Sequence, residues 1–112
     1  METIGWLKNK VTEENIEITN SKTVTFGRLN ALGIKSDHHI HDDRKVSKQH
    51  CMVQGFLNVA FIHDLESKNG TFVNGKKVED HIQLEDGDRV IMGITPFTYY
   101  RRTTENINKI KH

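Results

Sequence analysis

The sequence predicts an all-β protein, an antiparallel β-sandwich with binding loops at one end. Two observations lead to this prediction. Short segments rich in β-branched and aromatic residues recur along the chain, and none of them shows helical spacing of its apolar residues. Clusters of Gly, Asn, Asp and Ser separate these segments and favour turns. Sandwiches built in this way collect their connecting loops at the ends, where a ligand can bind.

Six segments combine β-forming residues with flanking turn signals and are predicted to be strands. They are residues 16–19, 23–26, 51–54, 59–62, 89–92 and 97–100. Pro96, the one proline, is expected in a turn or at the start of a strand because it cannot donate to a sheet ladder. A long connection, 29–44, is expected to contain one short strand at Ile40.

Length and charge limit the possible functions. The chain has 112 residues, which is enough for one domain; we assign 1–102 to it, and 103–112 to a polar tail or linker leading into a larger protein. A formal net charge of +1 argues against binding nucleic acid or a membrane by bulk attraction. No signal peptide or long apolar run is present, and the single cysteine, Cys51, is expected to be a buried thiol in a reducing compartment. We therefore expect an intracellular protein.

The most informative feature is a set of polar residues in three separate segments. Gly27-Arg28 ends one predicted strand, 47–50 (Ser-Lys-Gln-His) precedes another, and 67–71 (Ser-Lys-Asn-Gly-Thr) forms a turn. These segments supply a fixed cation, a hydroxyl group, mobile cations and an amide. A phosphorylated side chain carries about −1.5 to −2 charge and three acceptor oxygens, so its receptor needs several such donors around one point.

This pattern resembles the forkhead-associated (FHA) domain, a phosphothreonine-binding module with a sandwich of the FHA/SMAD type, over about residues 24–100. The resemblance implies that Arg28 and Ser47 contact the phosphate and that Lys48 assists. Lys68 stands where the family usually has a small hydroxyl residue, and it is expected to add charge there. Asn69 is expected to hydrogen-bond the peptide backbone.

The resemblance also gives a structural role to residues that form turns or connect loops. These are Gly27, His50, Gly70, Thr71, Asn74 and Gly75. The imidazole of His50 is expected to hold the binding loops together without touching the ligand. Lys45 is our candidate for recognising the peptide beyond the phosphothreonine. We expect it to favour an acidic or hydrogen-bonding side chain about three residues after the phosphothreonine.

Three fragments of the sequence imitate other kinds of site. Residues 70–76 have the glycine spacing of a phosphate-binding P-loop, but Lys77 replaces the required Ser or Thr and no helical pattern follows. The histidines lack helical spacing and cysteine partners, which disfavours a zinc site. Ser47, His50 and Asp64 are the residue types of a hydrolase triad, but the sequence around Ser47 is not a nucleophile elbow.

We therefore expect a non-catalytic module, with no cofactor and no small-molecule substrate, that binds a phosphothreonine-containing protein. Its expected setting, from the resemblance, is DNA-damage or cell-cycle signalling in the nucleus. Two alternatives stay open at this point. The sandwich could be a phospho-independent scaffold that docks a partner through a sheet face, or the targeting segment of a larger protein kinase or ubiquitin ligase.

Overall fold

The computed structural model describes residues 2–28 and 36–110, and within them the chain forms two sheets and one short helix. The strands are β1 (Thr3–Asn9), β2 (Asn15–Thr19), β3 (Thr23–Arg28), β4 (His38–Ile40), β5 (Cys51–Phe56), β6 (Val59–Asp64), β7 (Thr71–Val73), β8 (Lys76–Lys77), β9 (His81–Leu84), β10 (Arg89–Met92) and β11 (Thr95–Arg101). The helix, α1, comprises Thr104–Ile110. In this part of the chain, no helix is long and apolar enough to cross a membrane.

The two sheets confirm the predicted all-β sandwich. One has the strand order β2-β1-β11-β10-β7-β8, and the other has the order β4-β3-β5-β6-β9. One pair differs from the antiparallel expectation, because β3 and β4 run parallel, with Arg28 opposite Ile40. Parallel neighbours need a long connection that returns the chain to the same end of the sheet.

The core lies between the sheets because alternate residues of each strand point inward. Phe26 of β3 and Phe97 of β11 are fully buried, and their rings meet edge to face with centroids 5.9 Å apart. This contact joins one sheet to the other. Cys51 is also fully buried, as predicted, and burial raises the pKa of its thiol above the usual value.

All six predicted strands are present, and Ile40 lies in the short strand β4 as expected. Pro96 is the second residue of β11, close to the start of the strand. Four strands were not predicted, namely β1, β7, β8 and β9. β7 and β8 have three residues and two residues, which is too short for a pattern to be recognised. Residues 29–35 of the long connection lie outside the described residues.

The polar segment after residue 102 folds against the sandwich through one side chain. Asn106 of α1 is buried, and its Nδ2 donates to Asp86 Oδ1 at 2.8 Å and to the carbonyl oxygen of Arg101 at 2.6 Å. Its backbone N–H donates to Thr103 Oγ1 at 3.0 Å, which caps the start of the helix. The boundary between domain and tail at 102 and 103 stays a prediction.

Several connections meet at one end of the sandwich. Cys51, at the start of β5, is paired with Phe26 near the end of β3 and with Asp64 at the end of β6. The end of β3, the start of β5 and the end of β6 therefore lie side by side. In the other sheet, the end of β10 is paired with the start of β7 through Met92 and Thr71. The segments 41–50, 65–70 and 93–94 therefore lie near the end of β3.

Candidate functional site

Ser47 is the point at which three connections are joined. Its carbonyl oxygen accepts a hydrogen bond from the backbone N–H of Arg28 at 3.0 Å. Its Oγ accepts another from the backbone N–H of Lys68, also at 3.0 Å. Beside it, Asn69 Nδ2 donates to the carbonyl oxygen of Lys45 at 2.9 Å. The three motif segments, distant in sequence, thus form one continuous surface, which we call the loop cluster (Arg28, 45–48 and 67–70).

Gly27 allows the segment 47–48 to lie directly against β3. A Cβ atom built at Gly27 would overlap the carbonyl oxygen of Lys48 and the hydroxyl of Ser36, which donates to that same oxygen at 3.0 Å. Only a residue without a side chain fits this position. The close approach brings Arg28, the next residue, beside Ser47.

The buried His50 connects the segments 45–48 and 67–70. Its Nδ1 accepts the backbone N–H of Ser47 at 3.0 Å, and its Nε2 lies 2.9 Å from the carbonyl oxygen of Gly70. This arrangement requires a neutral ring with its hydrogen on Nε2, because Nδ1 is an acceptor and Nε2 is the donor. Burial lowers the pKa of His50, although the bond to Gly70 and the charge of Asp64 oppose the shift. Neither ring nitrogen is directed at the Ser47 hydroxyl, unlike the base of a hydrolase triad.

Asp64 fixes the shape of the turn that carries Lys68 and Asn69. Its Oδ1 accepts the hydroxyls of Ser67 at 2.6 Å and Thr71 at 2.7 Å, while its Oδ2 accepts the Ser67 N–H at 3.0 Å. The Ser67 Oγ in turn accepts the N–H of Gly70 at 3.0 Å. Such local bonds between short polar side chains and the backbone hold a turn in one conformation. Sequence reasoning placed Ser67 in a turn but did not predict that Asp64 holds this turn, although an Asp three residues before a Ser is a usable signal.

Asp43 fixes the other turn and joins it to the opposite sheet. This buried carboxylate accepts the N–H of Lys45 at 3.0 Å, the N–H of Ile94 at 2.8 Å and the hydroxyl of Thr95 at 2.7 Å. Burial alone would raise the pKa of Asp43, but these hydrogen bonds outweigh it and hold the pKa below its usual value. A Cβ at Gly93 would approach both Asp43 oxygens within 2.7 Å, so the turn between β10 and β11 needs a glycine at this position.

The lysines of the loop cluster are exposed, whereas hydrogen bonds hold the backbone that carries them. Lys45, Lys48, Lys68 and Asn69 are exposed, and Arg28 and Ser47 are half-buried. Within residues 2–28 and 36–110, none of these cations forms an ion pair, and the buried Nε of Arg28 has no hydrogen-bond partner. The cluster therefore presents positive charge without an internal anion to neutralise it.

Two of the predicted structural residues lie away from this cluster. Asn74 and Gly75 form the turn between β7 and β8, with φ values of 51° and 83°, which is the conformation of a tight hairpin. Asn74 Nδ2 donates to Asp88 Oδ1 at 2.9 Å. The segment with P-loop spacing is thus a β-hairpin.

The family of the chain follows from comparison with known proteins. The profile of the FHA domain matches residues 24–93, a range that contains the whole loop cluster. The chain belongs to the FHA-domain family. FHA domains are binding modules, and the loop cluster of this FHA domain presents Arg28, Lys45, Ser47, Lys48, Lys68 and Asn69, with the buried residues Gly27, His50, Gly70 and Thr71 beneath them.

Similar proteins are found among both sequences and structures. The FHA domain is 33% identical over 87 residues to proliferation marker protein Ki-67 from Homo sapiens, a match that covers 78% of this chain and 2% of Ki-67. The FHA domain of the CT664 protein from Chlamydia trachomatis has a TM-score of 0.77 and 27% identity, covering 90% of this chain and 100% of that one. An FHA structure from work on phosphothreonine-dependent FHA domain interactions has a TM-score of 0.76 and 24% identity, covering 90% and 99%. That likeness shows a shared fold.

Proposed function

We propose that this FHA domain binds a phosphothreonine-containing segment of a partner protein and thereby makes an interaction depend on phosphorylation. One observation carries the proposal. Three segments are hydrogen-bonded together around Ser47, and they present a guanidinium group, a hydroxyl group and three ammonium groups. None of these cations has an ion-pair partner among the described residues. A dianion with three acceptor oxygens matches such a surface.

The hydrogen bonds within the cluster define what each group can offer. Because Ser47 Oγ accepts the Lys68 N–H, its own hydrogen is available to donate to a phosphate oxygen. Arg28 supplies a planar fork of donors with permanent charge, and Lys48 and Lys68 supply mobile charges. Each charge-assisted bond contributes roughly 1.5–3 kcal/mol, but ordering costs offset much of the sum. We expect micromolar affinity, or about −8 kcal/mol.

Asn69 is our candidate for holding the peptide backbone next to the phosphothreonine. Its Nδ2 donates to the carbonyl oxygen of Lys45, which orients the amide and leaves its oxygen without a partner among the described residues. An extended peptide has backbone N–H groups that such an oxygen can accept.

Binding of matched peptides tests the proposal. An oriented library with a fixed phosphothreonine selects a sequence, which is then titrated calorimetrically in its threonine and phosphothreonine forms. We expect the phosphorylated form to bind at least about tenfold more tightly. Equal affinity would support a phospho-independent scaffold that docks through a sheet face, and would reject phosphate recognition.

Lys45 is our candidate for reading the peptide beyond the phosphate. Its side chain is exposed, while its backbone is held by Asp43 and Asn69, so the ammonium group projects from a fixed base. We predict that Lys45→Glu reduces a preference for an acidic residue about three positions after the phosphothreonine by roughly threefold, since surface ion pairs contribute up to about 1 kcal/mol. Peptide arrays measure this, with Lys76→Glu on the β7–β8 hairpin as control. An unchanged preference would exclude Lys45 from this role.

We further propose that the domain acts in cell-cycle signalling in the nucleus. The support is the sequence similarity to Ki-67, whose name describes a proliferation marker. This chain spans only 2% of Ki-67, so the similarity does not extend to the function of the whole protein. A role as the targeting segment of a larger protein kinase or ubiquitin ligase therefore belongs to the same proposal. Imaging of the tagged protein through the cell cycle tests the assignment, which uniform cytoplasmic signal would contradict.

A further inference from the structure

A polar cavity lies beside the loop cluster, between the β1–β2 turn and β4. It has a volume of about 220 Å³ and is lined by Glu14, Asp37, His38, His39, His41 and Thr95, together with residues of the turn. Pockets for small molecules are typically larger, at roughly 300–1,000 Å³. The cavity is therefore of a size to accept one side chain.

The position of the cavity connects it to the proposed phosphate site. His39 and His38 are paired with Gly27 and Phe26, the two residues that precede Arg28 in β3. Thr95 donates to Asp43, the same carboxylate that fixes the turn of Lys45. Neighbouring strands are about 4.8 Å apart and an extended peptide advances about 3.3 Å per residue. A peptide held at Arg28 can thus reach the cavity within a few residues.

Two carboxylates, those of Glu14 and Asp37, line the cavity. Glu14 is half-exposed, and its Oε1 lies 3.6 Å from Nε2 of His38, whose pKa is lowered mainly by burial. Asp37 accepts the N–H and hydroxyl of Thr25 through Oδ2 only, at 2.9 and 3.1 Å. The buried His39 Nε2 has no hydrogen-bond partner among the described residues. The two carboxylates favour a cationic ligand that can donate several hydrogen bonds to them.

Other ligands fit less well. The two carboxylates would repel a second phosphate group. In the part of the chain that the structure describes, no three His, Cys, Asp or Glu side chains are grouped closely enough to hold a metal ion. No lysine or arginine of this part lines the cavity, so its carboxylates are not neutralised from within.

We propose that this cavity binds a lysine or arginine side chain of the same phosphopeptide, within about four residues of the phosphothreonine. The domain then recognises a pair of opposite charges, with phosphate on the loop cluster and a basic side chain in the cavity. The inference rests on the proposed phosphothreonine binding. It adds a requirement on the partner sequence that the loop cluster alone does not impose.

The phosphothreonine library tests the inference when the positions on both sides are randomised. We expect enrichment of Arg or Lys at one position, and about a fivefold loss of affinity when that residue is changed to Ala or Gln in the selected peptide. In Glu14→Gln this loss should fall to less than about twofold. Glu14 lies on an exposed turn, so the variant should fold. Glu2→Gln, an exposed carboxylate at the opposite end, should behave like the wild type.

The outcomes separate the two proposals. Phosphate-dependent binding without selection of a basic residue, or with the same selection in Glu14→Gln, would overturn the basic subsite and leave phosphothreonine recognition intact. Equal binding of phosphorylated and unphosphorylated peptides would overturn both.

Discussion

Replacing Arg28 with alanine should weaken phosphothreonine-peptide binding by at least about tenfold, or ~1.4 kcal/mol, while the domain stays folded. The guanidinium group is the one planar, permanently charged donor in the loop cluster, and a phosphate loses a bidentate partner without it. The side chain is half-exposed and forms no ion pair with the described residues, so folding depends little on it. Calorimetric titration gives the affinity, and thermal unfolding checks the fold.

Two further variants separate the effect of the planar guanidinium group from the effect of its charge and from the loss of any exposed arginine. Arg28→Lys keeps the charge but loses the planar fork, so its affinity should lie between those of the wild type and Arg28→Ala. Arg89→Ala removes an exposed arginine at the start of β10 and should bind like the wild type. If folded Arg28→Ala kept full affinity, the phosphate would have to bind elsewhere.

Gly27→Ala should destabilise the domain by roughly 3 kcal/mol, the upper part of the range for overpacked sites. The added methyl group would overlap the carbonyl oxygen of Lys48, a backbone atom that cannot rotate away as a side chain can. Relief requires the segment 47–48 to separate from β3, which would also break the bond between Arg28 N–H and the Ser47 carbonyl oxygen. Chemical denaturation measures the loss of stability, and phosphopeptide affinity should fall with it.

Gly75→Ala is the matched control for this substitution. A Cβ at Gly75 would meet no atom within 4 Å, so the only cost is the left-handed backbone conformation, with φ of 83°. That cost is about 1–2 kcal/mol. Equal destabilisation by the two substitutions would show that contact with Lys48 is not what requires glycine at position 27.

The sequence predicted those parts of the fold that depend on local composition. The strands around Val53, Ile62 and Val90 have β-branched residues between turn signals, so they were recognisable. β1 was not, since Gly5 and Lys8 interrupt its apolar residues and its stability comes from pairing with β11 at the far end of the chain. The parallel pairing of β4 with β3 was also beyond local reasoning.

The candidate site was predictable as a set of residues but not as a network. Resemblance to a family singled out Arg28 and Ser47, whereas Asp43 was missed because its partners, Ile94 and Thr95, are 51 and 52 residues away. One contribution of Lys68 is visible only in three dimensions. Lys68 anchors Ser47 through its backbone N–H, which any residue except proline provides.

Both ends of the described chain lie at the end of the sandwich opposite the loop cluster. β1 begins there at Thr3, and β11 ends there, where the N–H of Arg102 donates to the carbonyl oxygen of Ile4 at 2.9 Å. A dye, an affinity tag or a sensor chip coupled beyond either end would consequently face away from the ligand. The domain could be tethered in either orientation and still offer Arg28 and Ser47 to the solution.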